Sequence, residues 1–520
     1  MSKISHSDEL DAALSEKKSQ INDDDIQLQQ LGLEPSELRR NFNIWSLAFM
    51  SFCSSITWEA ISSTMAQGLM SGGSSSLVWG FVASSLGALL TVLCIAEYSS
   101  MIPTAGGQYH YVAELSPPKF QRILSWYAGW MTMLGWILCA LAGIFATAMQ
   151  IQAWAILFSP DYTYERWHTA LIVIGLATFY TLFAIFEVKM LHRLLFVAMF
   201  VHIVGYFATV IYLLVRVNPK NTAKYVFTDS TSLSGWESPG ISWLIGLLTS
   251  AIGFVSWDSP LHMSEEMKHA SRDLPRSLII NIACSAVLTF PWIIGVVFCI
   301  TDISGVLSGP TGTISFMAQL YYNVSGGNKA VTVGMTLYLP LMGFLGVGPS
   351  IMTATSRVIW SFARDGGLPQ SVSKVNSRTK TPVLSLLITW AIVCLLSLIY
   401  VGNATAYYGL SSACTVTLII SYAMPICMAV LFGFKHCSLP KGPFSLGKYH
   451  RLVATVALAW SLCLIIMMCF PTYKPVTTTN MNYASVVVCG GLAAATISWT
   501  AYGRYRYHGL MQTIEGRAER

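Results

Sequence analysis

A recurring length decides what this chain can fold into. Twelve runs of about twenty mostly apolar residues lie at 43–67, 77–101, 124–157, 168–188, 192–215, 241–264, 277–300, 331–360, 383–401, 405–432, 452–471 and 483–502. Roughly twenty such residues make one helix long enough to cross the hydrocarbon of a bilayer. The third and eighth runs exceed a perpendicular crossing, so they are expected to tilt or to extend past the membrane. Composition agrees: 54% of the residues are hydrophobic and 11% charged, against about 25% charged in a soluble domain. The expectation is an all-α membrane protein. A twelve-helix domain at 42–504 would lie between polar tails at 1–41 and 505–520. The first tail carries no short apolar stretch with a cleavage site, so no removable signal peptide is expected.

Charge orients the chain. With the N-terminal tail in the cytoplasm, 25 of the 31 Lys and Arg residues fall on the cytoplasmic side and six outside, namely Arg166, Arg216, Lys220, Lys224, Lys329 and Lys474. That bias is the positive-inside pattern, so the net charge of +6 is sorting across a membrane and calls for no nucleic acid. An even number of crossings returns the C-terminus to the cytoplasm. The sequons at Asn323 and Asn403 fall on the outer side as candidate glycosylation sites. The twelve cysteines contain no CxxC, so neither a disulfide framework, a metal site nor a cofactor is expected. No HExxH and no nucleophile elbow points to an enzyme.

Two runs carry the same short word. Thr57-Trp58-Glu59 lies in the first and Ser256-Trp257-Asp258 in the sixth. A carboxylate near the bilayer centre costs about 2.5–3.5 kcal/mol, so such residues usually face a cavity. Runs one to five would match six to ten, with the last two as extras; five is odd, so the halves would be inverted around one central site. Helix breaks fit there. Ser54, Ser55 and Thr57 supply hydroxyls for opened backbone, and Gly253 and Pro260 flank the second word. Opened helices present N–H and C=O groups that bind a carboxylate and an ammonium. The expected binding set is Ser54, Ser55, Thr57, Trp58, Glu59, Gly253, Ser256, Trp257 and Asp258. Asp258 is the expected proton-coupling group, Glu59 the expected partner of an ammonium, and Trp58 and Trp257 could stack on a cation for up to ~2 kcal/mol. His202 reads as a bonded core residue, with proton relay as the alternative. Arg357 is expected to snorkel to the cytoplasmic surface. Glu265, Glu266, Lys268 and Arg272 read as a cytoplasmic gate that Glu97 could join.

Three longer stretches carry a resemblance. Ala96–Tyr98 through Pro103–Tyr109, the segment FVSWDSPLHMSEEMKHASRDLP at 254–275 and SRVIWSFARDGGLP at 356–369 resemble the amino acid–polyamine–organocation superfamily, in particular its fungal amino acid/choline transporters. The resemblance covers about residues 40–510. It implies a leucine-transporter-like five-plus-five fold with broken helices 1 and 6. It also implies a plasma-membrane permease that imports a small amine, such as an amino acid or 4-aminobutyrate, by proton symport. Choline or another quaternary amine or polyamine is the alternative substrate, and a non-transporting nutrient sensor the alternative class. Asp258 takes the acidic position of the family's span-six motif, and His262, Glu265 and Glu266 match its HMSEE element.

Overall fold

The structure, a computed structural model, describes residues 44–509 apart from 160, 187–189, 268, 404–405, 438, 440 and 479. All regular elements among them are helical, and ten helices are long and apolar enough to cross a membrane. The first of these, Ile44–Met101, has 58 residues, which at about 1.5 Å per residue is far longer than one crossing. It is interrupted twice. Ile56 (φ 34°, ψ 56°) separates α1 (Ile44–Ser55) from α2 (Thr57–Met101), and Gly73 (φ 65°, ψ −167°) bends α2. A Cβ at Gly73 would lie 2.8 Å from the carbonyl oxygen of Asp229, so the bend needs glycine for space as well as for backbone angle.

The chain continues through α3 (Gln108–Leu115), α4 (Gln121–Phe158), α5 (Arg166–Phe186) and α6 (Leu191–Arg216). Helix α7 (Pro239–Ile252) starts at Ser238, whose side chain accepts from Ile241 N, with Pro239 in its first turn. The apolar run in the sequence continues to 264, yet the helix stops at Ile252. Residues 253–258 are irregular, with Ser256 at φ 58°, and a 3₁₀ segment Ser259–Glu266 follows with Pro260 in its first turn. Then come α8 (Ala270–Cys299), α9 (Phe316–Val324), α10 (Lys329–Arg364, with a π turn at Gly343–Val347), α11 (Val383–Gly402), α12 (Ala406–Phe432), α13 (His450–Met467) and α14 (Ala484–Arg506).

Helix α2 packs on α7 and α8, and α4 packs on α12. Gly72 permits the first contact: a Cβ there would sit 2.9 Å from Trp243 Cα. Large apolar residues such as Phe200, Val215, Leu395 and Ile497 point outward, while serines, threonines and several acids are buried. This arrangement suits lipid outside and satisfied polar groups within. At one end, which we call the basic end, the loop 102–107 contacts the 3₁₀ segment, Glu97 contacts the segment 445–450, and Arg122 reaches Arg504 and Tyr507. The opposite end joins Met70 to Leu233 and Lys474 to Ser234.

Candidate functional site

Two non-glycine residues with positive φ, Ile56 and Ser256, mark the two interruptions. Such a conformation costs about 1–3 kcal/mol and persists only where the surroundings enforce it. Here hydroxyls tie the two interruptions to each other. Ser256 Oγ donates to Ser54 O (2.9 Å), Thr57 Oγ1 to Gly253 O (2.8 Å) and Ser51 Oγ to Trp257 O (2.7 Å). Each chain thus supplies donors for carbonyls that the other has freed. Hydroxyl-rich residues at 51–57 do here what glycine does in a looser break.

A cavity of about 60 Å³ lies against this junction. Its wall includes Ser54, Ser55, Ile56, Glu59, Ser63 and Ser256, with Cys139 and Gly143 from α4, Ile351 from α10, and Tyr407 and Cys414 from α12. Glu59 is the one acid among the lining residues, and it is fully buried. Its Oε1 lies 2.7 Å from His202 Nδ1, and its Oε2 has no hydrogen-bond partner. A buried carboxylate oxygen left without a donor is costly. Across the cavity Tyr407 Oη lies 3.4 Å from Ser63 Oγ.

The structure places the other expected residues differently. Trp58 does not line the cavity; it packs among His202, Tyr206, Trp292 and Tyr338, with ring centroids 4.5–6.3 Å away. Successive helical residues point about 100° apart, and the step from Glu59 back to Trp58 turns the indole away from the cavity. Trp257 stacks on Tyr422 at 4.8 Å and borders a separate small cavity between α2, α7, α12 and α13. Asp258 also lies off the central cavity, because the left-handed turn at Ser256 carries it toward the basic end. Tyr422 Oη donates to its Oδ1 (2.6 Å) and Gln108 Nε2 to its Oδ2 (2.5 Å), while Trp136 Nε1 and His262 Nε2 lie 3.3 Å from Oδ2. His262 Nδ1 faces the carbonyl of Ala105 at 3.0 Å. A carbonyl only accepts, so Nδ1 carries a hydrogen.

Near the basic end the acids find arginines. Arg364 grips Glu265 with two bonds (2.8 and 3.1 Å), and Glu265 also accepts from Ala105 N (3.0 Å). Arg357 Nε binds Glu266 at 2.9 Å. Arg357 does not snorkel to the surface: it is 1% exposed, because its charge is neutralised inside by Glu266. Asp365 takes Tyr109 Oη and His110 Nε2, each at 2.6 Å. Burial works to raise the pKa of Asp365, but His110 and Arg364 outweigh it and hold the carboxyl below its usual range. Two gate residues expected from sequence lie elsewhere. Glu97 binds Ser445, Leu446 N and His450, since its position on α2 faces the 433–450 connection. Arg272 pairs with its neighbour Asp273 at 2.8 Å near solvent. Lys268 lies outside the described residues. Asn323 is exposed near the end of α9, whereas the sequon of Asn403 runs into undescribed residues. Tyr407, Gln108, Trp136 and Tyr422 carried no sequence signal of their own beyond Gln108's place in the PTAGGQY stretch.

Comparison with known proteins follows the same lines. A family model described as "Amino acid permease" matches residues 42–492. A choline transporter of Saccharomyces cerevisiae is 30% identical over 486 residues, covering 93% of this chain and 85% of that protein. Amino-acid permease 2 of Neurospora crassa is 29% identical over 507 residues (96% and 91%), and amino-acid permease BAT1 of Arabidopsis thaliana 28% over 504 residues (94% and 96%). A chain matched along most of its length by that model, with transporters for relatives, is a multi-pass membrane permease of the amino acid permease family.

Proposed function

We propose that this permease imports a small amine, an amino acid or 4-aminobutyrate, across the plasma membrane by proton symport, with both termini in the cytoplasm. The proposed architecture is twelve crossings in a five-plus-five inverted repeat. Ile44–Met101 counts as two crossings, and Pro239–Ile252 with the 3₁₀ segment as the broken sixth. The domain limits at 42–504, with short cytoplasmic tails on either side, belong to the same reading.

One observation carries it: Glu59 lines a cavity between two interrupted helices, and its Oε2 is buried without a hydrogen-bond partner. An ammonium there would complete the carboxylate. The first turn of α2, which Ile56 leaves without a side-chain cap, would hold the substrate's carboxylate on its N–H groups. The volume of about 60 Å³, at roughly 10–15 Å³ per water-sized group, suits about half a dozen non-hydrogen atoms.

The choline transporter relative favours a second reading, a quaternary amine. Such a head group calls for an aromatic cage. Among the described residues Tyr407 is the only aromatic one of the cavity wall, with Trp58 and Trp257 turned away, so the amino-acid reading is preferred. Purified protein in liposomes, assayed for uptake of labelled 4-aminobutyrate, alanine and choline with mutual competition, tests both. Glu59→Gln replaces a charge-assisted bond of about 1.5–3 kcal/mol, so uptake is expected to fall at least tenfold. Wild-type uptake by Glu59→Gln, or movement of no amine at all, would defeat the proposal.

A further inference from the structure

Building on the reading of Glu59 as the ammonium's partner, we infer that His202 is the group that carries the co-transported proton, through its bond to the inner oxygen of that same carboxylate. Glu59 belongs to the cavity wall. Its Oε1 lies 2.7 Å from His202 Nδ1 on α6, and its Oε2 is buried with no hydrogen-bond partner. His202 itself is 4% exposed and does not line the cavity. One carboxylate therefore stands between a site for a proton and a site for an amine.

The charges settle how the two cations coexist. An acid alone would hold either a proton or an ammonium, and the two would compete; competition gives exchange, not co-transport. With His202 behind it, Glu59 keeps both. Before substrate arrives, one proton occupies the pair, on Glu59 Oε1 and bonded to neutral His202 Nδ1. When an ammonium meets Oε2, the Oε1–H bond breaks and an Nδ1–H bond forms. The product is an imidazolium, a carboxylate and an ammonium in a row. A zwitterionic amine leaves the closed site neutral overall, which a low-dielectric interior requires. The proton leaves His202 for solvent when the amine departs and the site opens.

The neighbours support this assignment. The titratable groups facing the pair are Cys53 from α1, Tyr206 on α6, Tyr338 from α10 and, across the cavity, Tyr407 from α12. None of them is a cation at neutral pH. Asp258, by contrast, is met by Tyr422, Gln108, Trp136 and His262, off the cavity.

The test uses the full chain in liposomes loaded with a pH-sensitive dye, with 4-aminobutyrate or alanine as the labelled amine. Wild type is expected to acidify the lumen as amine enters, and its amine affinity to weaken as pH rises, by up to about tenfold per unit for one linked proton. His202→Asn still offers Glu59 an N–H but cannot hold a proton. It is expected to retain amine-for-amine exchange with affinity independent of pH, and to lose amine-driven acidification. Acidification per amine equal to wild type in His202→Asn would overturn the assignment. So would a wild-type affinity that is flat or weakens on acidification, a readout that does not depend on the variant folding. Absence of any amine uptake by wild type would instead remove the parent reading of function.

Discussion

Replacing Asp258 by Asn separates a latch from a proton site. Asp258 ties the 3₁₀ segment to three other helices: Gln108 is on α3, Trp136 on α4 and Tyr422 on α12. The two short bonds, 2.5 Å from Gln108 and 2.6 Å from Tyr422, carry most of the energy. Hydrogen bonds to a charged group contribute about 1.5–3 kcal/mol and neutral ones about 0.5–1.5, so each short bond loses about 1 kcal/mol in Asp258→Asn. The total, about 2 kcal/mol, is roughly a thirtyfold shift away from the latched arrangement. Asp258→Ala leaves the same donors with no acceptor at about 1–3 kcal/mol each, so its folding yield should fall as well. The assays are thermal denaturation in detergent and equilibrium binding of labelled amine. Asp258→Asn should lower Tm while amine affinity and its pH dependence stay within about threefold of wild type. A variant with wild-type Tm but no proton-coupled uptake would refute this reasoning and restore Asp258 as the proton site.

Three other outcomes follow from the same geometry. Arg357→Met leaves Glu266 buried without its cation, which costs about 3–5 kcal/mol; pairing it with Glu266→Leu should recover most of the lost Tm, and no recovery would argue that the arginine acts beyond its ion pair. Gly253→Val should abolish uptake, because even one added Cβ would lie 3.0 Å from Thr57 Cγ2 and 3.1 Å from Thr57 O, at the seam between the two interruptions, where overpacking costs about 1–3 kcal/mol. Asp365 has a lowered pKa in the fold, so its contribution is present in full above the ordinary carboxylate range, about pH 4, and is lost as pH falls through the lower folded value. The Tm gap between wild type and Asp365→Asn should therefore be widest near neutrality and close below pH 4, and a gap unchanged in acid would contradict the assigned partners.

The positions of the crossings were legible because membrane thickness imposes one coarse length on every run. Helices α4, α6, α8 and α13 begin and end within a few residues of their apolar runs, apart from the earlier start of α8 at Ala270. The sixth apolar run extends past the end of its helix for a physical reason. Hydropathy reports which residues avoid water, and residues 253–264 are as buried when unwound as they would be in a helix. The paired words located both interruptions, yet they did not say which side chains face inward, because that depends on the turn at Ser256 and on the helical step from Trp58 to Glu59. Partners were further out of reach. His202 is 143 residues from Glu59 and Tyr422 is 164 from Asp258, and no local spacing links them. Arg357 and Arg364 lay in plain view within SRVIWSFARDGGLP, but only the path of the chain brings Glu266 and Glu265 to them.

The two acids of the paired words thus do opposite things with the same chemistry. Asp258 is saturated with donors, so nothing that enters the protein improves its situation. Glu59 has one oxygen satisfied and one not, and an unmet buried acceptor costs about 1–3 kcal/mol. On the proposed function, closing the site without substrate would incur that cost and closing it around an ammonium would remove it, coupling closure to binding by about 5- to 150-fold in the equilibrium. Glu59→Gln keeps a hydrogen bond to His202 but cannot become the carboxylate that an ammonium would pair with. Saturating amine should raise the Tm of wild type and leave the variant nearly unmoved. Equal stabilisation of both proteins by amine would mean that the unpaired oxygen of Glu59 is not what couples binding to closure.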